Sequence, residues 1–496
     1  WVGHTVKGET QKLWTRATYF SYTDMNQLPT RINFFEPLAS WGGSNMNEYS
    51  LSSNWDKGLF FTGQVGYKDY VYLEGSYRQD WYRAFKQFEY RGTPDNYGYF
   101  SVGANTLMHR YISLPEFITH LKLRASYSEV GNSIPNEVFN KGKADLATGA
   151  IASSTYGYFD NPIPETSKSF EAGFDVSFFD SSLNWDLTYY HTGLYNNYFL
   201  QATTGGKSKP VNTGLIRNQG IETTVSYSLG FAKDWMWRTS VNFSYNDNKI
   251  VKTFKDEQGK SSKLEQKIAG GNIVVRYDEG GSYGDMYALD FRRNDDGSIY
   301  LSSNGAPQLS NNSYVYLGNM NSKFQLGWGN TISWKDLSLY FLVSGRIGGK
   351  VISLTEAYLD YQGVSKRVGD ARLAAEANPD LQWNGKPAMV MPDGNLAPIE
   401  EYYKAVGGNM FGSQYVYDAT NFRLAELSLG YSFHNLFGGV ISNLSLSVVG
   451  RNLFFIYKDA PVDPDIALST KNGLGAFDIF NMPATRSVGV NLKIDF

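Results

Sequence analysis

Eight aromatic residues, Tyr156, Tyr158, Tyr283, Tyr287, Tyr314, Trp383, Tyr402 and Tyr415, stand in long polar stretches of the chain. A ring offers a flat apolar face to a sugar, and its hydroxyl or indole N–H suits a peptide. The group therefore reads as a ligand or partner contact surface, although any one ring alone reads better as packing between loops. A second set is charged. Arg78, Arg124, Glu171, Glu222, Arg238 and Glu426 fall on the polar phase of alternating segments, where charge fits a wetted face, as cross-strand pairs or as steps on a permeation path. Nothing points to bond chemistry. No GxSxG elbow, P-loop or HExxH pattern occurs, the five His are scattered and Cys is absent, so no catalytic set, cofactor or metal site is expected. The stretch "RRNDDGSIYL" (292–301) has the acidic character of a calcium loop but lacks EF-hand spacing and reads as a hairpin tip.

The elements that must position these residues are strands. The chain closes with "RSVGVNLKIDF", in which Val488, Val490, Leu492, Ile494 and Phe496 alternate with polar partners. Successive strand side chains point to opposite faces, so one face is apolar and the other polar. The same alternation predicts fourteen strands, at 12–22, 57–67, 70–80, 97–107, 118–128, 168–179, 183–195, 219–229, 235–248, 322–334, 337–347, 420–432, 443–454 and 485–496. Long connections alternate with short ones such as Lys68-Asp69 and Lys335-Asp336. Short turns on one side and long loops on the other are the pattern of an outer-membrane barrel, not of a soluble sandwich.

Composition agrees. Aromatics make up 16% of the 496 residues, apolar content is 42%, and no run reaches the length of a membrane helix. Net charge is −3, from 45 basic and 48 acidic residues, which argues against nucleic acid as partner. The expected fold is all-β, a transmembrane antiparallel barrel with long extracellular loops, its apolar face on lipid and its polar face on an aqueous lumen. In the 348–419 loop, "LTEAYLDYQGVSKRVGDARLAAEA" (354–377) is the only sizeable helical pattern, interrupted by Gly363 and Gly369.

Stretches spread along the chain, among them "FFTGQVGYKDYVYLEGSYRQD" (60–80), "LKLRASYSEVGN" (121–132), "NTGLIRNQGIETTVSYS" (212–228), "SLSVVGRNLFFIYKDAPVDPD" (445–465) and "MPATRSVGVNLKIDF" (482–496), resemble the carboxy-terminal portion of SusC/RagA-like TonB-dependent transporters of the Bacteroidota outer membrane. The resemblance implies a 22-stranded barrel occluded by an amino-terminal plug, energised by the inner-membrane TonB complex and lidded by a SusD-like lipoprotein. It implies import of oligosaccharides or oligopeptides. Residues 1–496 would then be a partial barrel domain, its last fourteen strands, with the remaining barrel and plug segment supplied as another chain or lost. The helical stretch reads either as loop packing or as a dock for the lid. Two other classes are weighed: a passive fourteen-stranded porin, and a surface adhesin without transport.

Overall fold

The computed structural model describes residues 2–18, 45–82, 85, 94–133, 162–202, 208–212, 214–253, 255, 265–465, 475–482 and 484–496. Fourteen strands form one antiparallel sheet in chain order: β1 (Val2–Thr18), β2 (Asn45–Tyr67), β3 (Val71–Tyr82), β4 (Asn96–Leu107), β5 (Ile118–Asn132), β6 (Glu165–Phe178), β7 (Leu183–Tyr195), β8 (Leu215–Ala232), β9 (Trp235–Lys252), β10 (Phe324–Trp334), β11 (Leu337–Ile347), β12 (Asn421–Leu436), β13 (Ile441–Lys458) and β14 (Ser487–Asp495). Every expected strand has its counterpart. The first is displaced, ending at Thr18 where the sequence reading ran to residue 22, and residues 19–22 lie outside the described set. Several strands run longer than expected because they continue beyond the two-faced stretch.

Register turns the alternation into two surfaces. Paired residues across the sheet share a face, and one row runs Arg124, Gly173, Thr188, Glu222, Ser244, Gln325, Arg346, Asn421, from β5 to β12. The adjacent row, one residue along each strand and hence on the other face, runs Leu123, Phe174, Leu187, Thr223, Phe243, Leu326, Gly345, Phe422. A one-residue slip at any pair would send a charge to the apolar side, so the pattern specifies the pairing.

The three indole N–H groups on the apolar face that follow are each paired. Trp185 Nε1 donates to Thr223 Oγ1 at 2.9 Å, Trp328 Nε1 to Thr239 Oγ1 at 3.0 Å, and Trp237 Nε1 to Asn330 Oδ1 at 3.1 Å. Each hydrogen bond removes a group that hydrocarbon could not solvate. Gly345 serves the same surface differently. The Phe422 ring lies over it so closely that a Cβ would come within 2.5 Å of the ring.

The short turns carry the backbone their length demands. Lys68, Asp69, Asp234 and Lys335 have positive φ, the handedness that matches tight hairpins to strand twist. Among several register shifts in the sheet, one falls within β12. Leu342 pairs with Glu426 but Val343 with Leu424, so Ala425 is an extra residue; a bulge there keeps Leu424 on the apolar face and Arg423 on the polar face. Unbroken alternation would put Ala425 in phase with Leu427, and the bulge removes it from that row.

The long segments between β9 and β10, between β11 and β12, and after β13 fold together as a cap. Ile273, Val275, Met286, Phe291, Ile352, Phe411, Tyr415 and Phe477 share one buried core. Three helices pack on it: α1 (Leu354–Tyr361), α2 (Lys366–Ala377) and α3 (Ile399–Gly408). Ser353 caps α1 by accepting from Glu356 N, and Ser365 caps α2 by accepting from Val368 N, both at 3.2 Å. The break between α1 and α2 falls at Gly363, at φ 69°; Gly369, expected to interrupt the pattern, lies inside α2. Gly407 lets α3 approach α1 closely, since a Cβ there would sit 2.3 Å from Ala357 O.

Candidate functional site

All six charged residues singled out in the sequence lie on the polar face of the sheet. Arg124 is the best anchored. Its guanidinium donates to Asp175 Oδ2 at 3.0 Å, Asp186 Oδ2 at 2.7 Å and Thr188 Oγ1 at 2.6 Å, spanning β5, β6 and β7. Arg78 donates from Nε to both oxygens of Asp80, at 2.7 and 2.9 Å. Glu426 accepts from Arg451 Nε at 3.2 Å. Glu171, Glu222 and Arg238 lie exposed on the same face. The polar face therefore mixes cross-strand ion pairs with free charge, and a cavity of ≈ 440 Å³ lies along it, lined by Thr188, Glu222, Asn242, Ser244, Gln325 and Arg346 among others.

Where the polar face meets the cap, a larger cleft of ≈ 930 Å³ opens. Its walls are rich in amides: Asn218, Asn246 and Asn248 from the sheet, Asn319 and Asn321 from the cap. Asn248 ties the two bodies together, accepting from Tyr283 N at 2.7 Å and donating to Asn218 Oδ1 at 2.8 Å. Asn319 and Asn321 donate to Tyr283 O at 3.2 and 2.8 Å, so both backbone polar groups of Tyr283 are held. Amide side chains donate and accept in one plane, which suits a repeatedly hydrogen-bonding ligand, and charges of both signs, Arg217, Lys249, Lys323, Asp247 and Asp285 among them, line the same cleft.

The aromatic set divides. Tyr283 lines the cleft, as does the exposed Tyr316. The Tyr316 hydroxyl donates to Asp285 Oδ1 at 3.2 Å, and partial loss of water around the hydroxyl end, together with that carboxylate, pushes its pKa up to about 12 although the ring is exposed. Tyr287 and Tyr314 sandwich the Arg276 guanidinium at 4.6 and 4.7 Å. Trp383 is half-buried, its ring over Gly305. Tyr402 and Tyr415 do not reach a surface: they are 4% and 0% exposed, packing the cap from within, and burial raises the pKa of both. Tyr415 donates to Asp360 Oδ2 at 2.9 Å, and Arg367 donates to the same oxygen at 2.8 Å. Tyr156 and Tyr158 lie outside the described residues. At 292–301 the chain forms a hairpin tip in which Asp296 accepts from Ser298 N at 2.9 Å.

Sequence reasoning overlooked α3 and the cleft amides. The helix had a signal: Ile399, Tyr402, Tyr403 and Val406 follow the i, i+3, i+4, i+7 spacing of a buried stripe, and all four are buried. The amides had none, because Asn is common in loops and nothing local says that two distant loops meet.

Against known families, residues 2–344 match the model described as TonB dependent receptor-like, beta-barrel. The chain belongs to that family. This receptor barrel is 24% identical to TonB-dependent receptor P39 of Formosa agariphila, over 99% of the chain and 51% of that protein. It is 21% identical to TonB-dependent receptor SusC of Bacteroides thetaiotaomicron, over 72% of the chain and 36% of that protein, as the sequence resemblance implied. Among solved structures it superposes on the RagAB peptide importer in the open-open state with a TM-score of 0.69 at 18% identity, covering 92% of the chain and 48% of that one. The chain thus spans about half or less of the length of these relatives. The receptor barrel is an outer-membrane protein.

Proposed function

We propose that this barrel is the carboxy-terminal wall and extracellular cap of an active importer of oligomeric nutrients, energised through TonB. The observation that carries the proposal is the amide-lined cleft, which joins the folded cap to the continuous polar row on the inner face. A cargo held there faces the route through the wall. β1 and β14 each have one neighbour in the sheet. Unpaired strand edges are not tolerated in lipid, so further strands from the rest of the protein complete the wall in this reading, and the plug that the family resemblance implies would lie inside it.

A SusD-like lipoprotein is the proposed lid. Its support is a patch on the cap, where Tyr358, Tyr361, Val364, Phe480 and Met482 are all at least 45% exposed and Tyr358 meets Phe480 edge to face at 5.3 Å. Oligosaccharides and oligopeptides both suit the cleft. The RagAB importer named above carries peptides, which adds weight to the second. The deciding experiment is growth of a deletion strain on single oligomers as sole nutrient. Loss of growth on one oligomer, restored by the intact gene but not by a version unable to engage TonB, supports the proposal. Unchanged growth with lost surface binding would establish an adhesin, and growth independent of TonB a passive porin.

A further inference from the structure

After β13 the chain turns back over the polar face. Residues 459–465 form no ladder pairing with any strand, so side chains hold them there. Asp463 Oδ1 lies 3.2 Å from Arg423 Nη2, which also pairs with Asp465. Asp465 lies 3.1 Å from Arg346 Nη1 and accepts from Asn421 Nδ2 at 3.3 Å. Asp465 N donates to Asp463 Oδ1 at 3.0 Å, and Lys458 Nζ donates to Pro461 O and Val462 O at 3.3 and 3.2 Å. Asp465 thereby borders the ≈ 440 Å³ cavity of the inner face, beside Gln325 and Ser344.

Two guanidinium groups on neighbouring strands repel each other unless anions lie between them. Arg346 sits opposite Asn421, two residues from Arg423, and the Arg423 side chain is only 13% exposed. The planar guanidinium fork is matched in shape and charge by a carboxylate. We propose that Arg346 and Arg423 form an anion-binding site on the inner face, that the chain's own Asp463 and Asp465 occupy it, and that carboxylate groups on a cargo compete for it and release the strap. The inference rests on the import reading for the word cargo, but the site itself does not. A short tether holds the strap carboxylates at an effective concentration on the order of millimolar. Single carboxylates therefore compete poorly, and an oligomer bearing several competes well.

The 496 residues contain no Cys, so no native thiol of this chain competes for a label. Spin labels at Val462→Cys and Thr224→Cys in the whole receptor, held in lipid nanodiscs, report the distance from the strap to the inner face. A narrow distance distribution is expected, broadened in the D463N/D465N variant. Oligogalacturonate, or a short peptide with acidic side chains, should broaden it in the parent, while neutral oligomers of equal length leave it narrow. Whichever acid acts names the source of the carboxylate. In the D463N/D465N variant, whose strap is already loose, calorimetric titration with that acid should show binding weakened about tenfold or more by R346Q/R423Q. The proposal is overturned if the doubly amidated strap stays narrow, if neither acid acts, or if acid and neutral oligomers act alike. Because the readout needs no TonB, a strap that exchanges in a receptor that imports nothing would overturn the transport reading alone.

Discussion

Arg124 on β5 reaches across β6 to Asp186 on β7, 2.7 Å away, and pairs on the way with Asp175 at 3.0 Å. Asp175 and Asp186 are direct cross-strand partners. Like charges directly opposed destabilise a sheet, so the arginine is what makes this pair tolerable.

Replacing Arg124 by Met should therefore destabilise the wall more than losing an ordinary ion pair, and neutralising one aspartate should undo much of the damage. All three side chains are about a third exposed, which screens the interaction and limits the loss to about 1 kcal/mol. Urea unfolding of the receptor in detergent should show a lower midpoint for R124M and a partial return for R124M/D186N. A double variant no better than the single one would mean that Arg124 acts through packing alone.

The cap offers a sharper test, because Asp360 is 1% exposed and both Arg367 and Tyr415 converge on one of its oxygens. Asp360→Ala leaves the buried Tyr415 hydroxyl without its acceptor and the Arg367 guanidinium with only the longer contacts to Glu356 Oε2 at 3.7 Å and Gln414 O at 3.4 Å, at a cost of about 2 kcal/mol. Protease treatment of intact cells should cut the 348–419 loop faster in D360A, with the barrel itself unaffected. Tyr415→Phe removes one bond and leaves the ion pair, so its effect should be smaller. Equal sensitivity of all three proteins would show that the cap does not depend on this cluster.

How much of this was legible beforehand follows from the range of the interactions concerned. A strand declares its two faces within ten residues, so Leu123 and Arg124 identify apolar side and polar side with no knowledge of their partners. The bulge at Ala425 escaped because it depends on where β11 and β13 place their hydrogen bonds, which the alternation of β12 does not record. The cap escaped for a stronger version of the same reason. Ile273, Tyr415 and Phe477 come from three segments far apart in sequence, and each looks like an ordinary loop residue until the three meet. Tyr402 and Tyr415 were candidates for contact because rings in polar stretches invite it. They proved to be the mortar between loops, while Asn248 and Asn319, which frame the cleft, carried no local mark at all.

Acid should loosen the cap through Asp393. Burial opposes ionisation of this carboxyl, but Ile299 N at 2.7 Å and Asn395 N and Nδ2 at 3.1 and 3.0 Å donate to it, and the balance holds it below the usual carboxylate range. A carboxyl whose pKa is lower folded than unfolded adds stability that is fully present above its unfolded value, about 3.9, and is lost as pH falls through the folded value. Protease resistance of the cap should thus be flat near neutrality and decline below about pH 4. Asp393→Asn should remove part of that decline while lowering resistance at pH 7. A D393N cap with the parent's full acid sensitivity would place the titrating group elsewhere.

The two faces of β9 make the most direct test of the whole arrangement. Val241 and Ser244 lie three residues apart on one strand, Val241 beside Trp328 on the apolar face and Ser244 beside Gln325 on the polar one. A lysine turned toward lipid near mid-bilayer costs roughly 2–4 kcal/mol, whereas one in an aqueous lumen costs little. V241K should therefore fold into vesicles with a markedly lower urea midpoint, and S244K with nearly the parent's. Thinner bilayers should narrow the gap, since the charge then lies nearer the headgroups. If both variants lost the same stability, hydrocarbon would not be what the apolar face meets, and the assignment of inner and outer surfaces would fall with it.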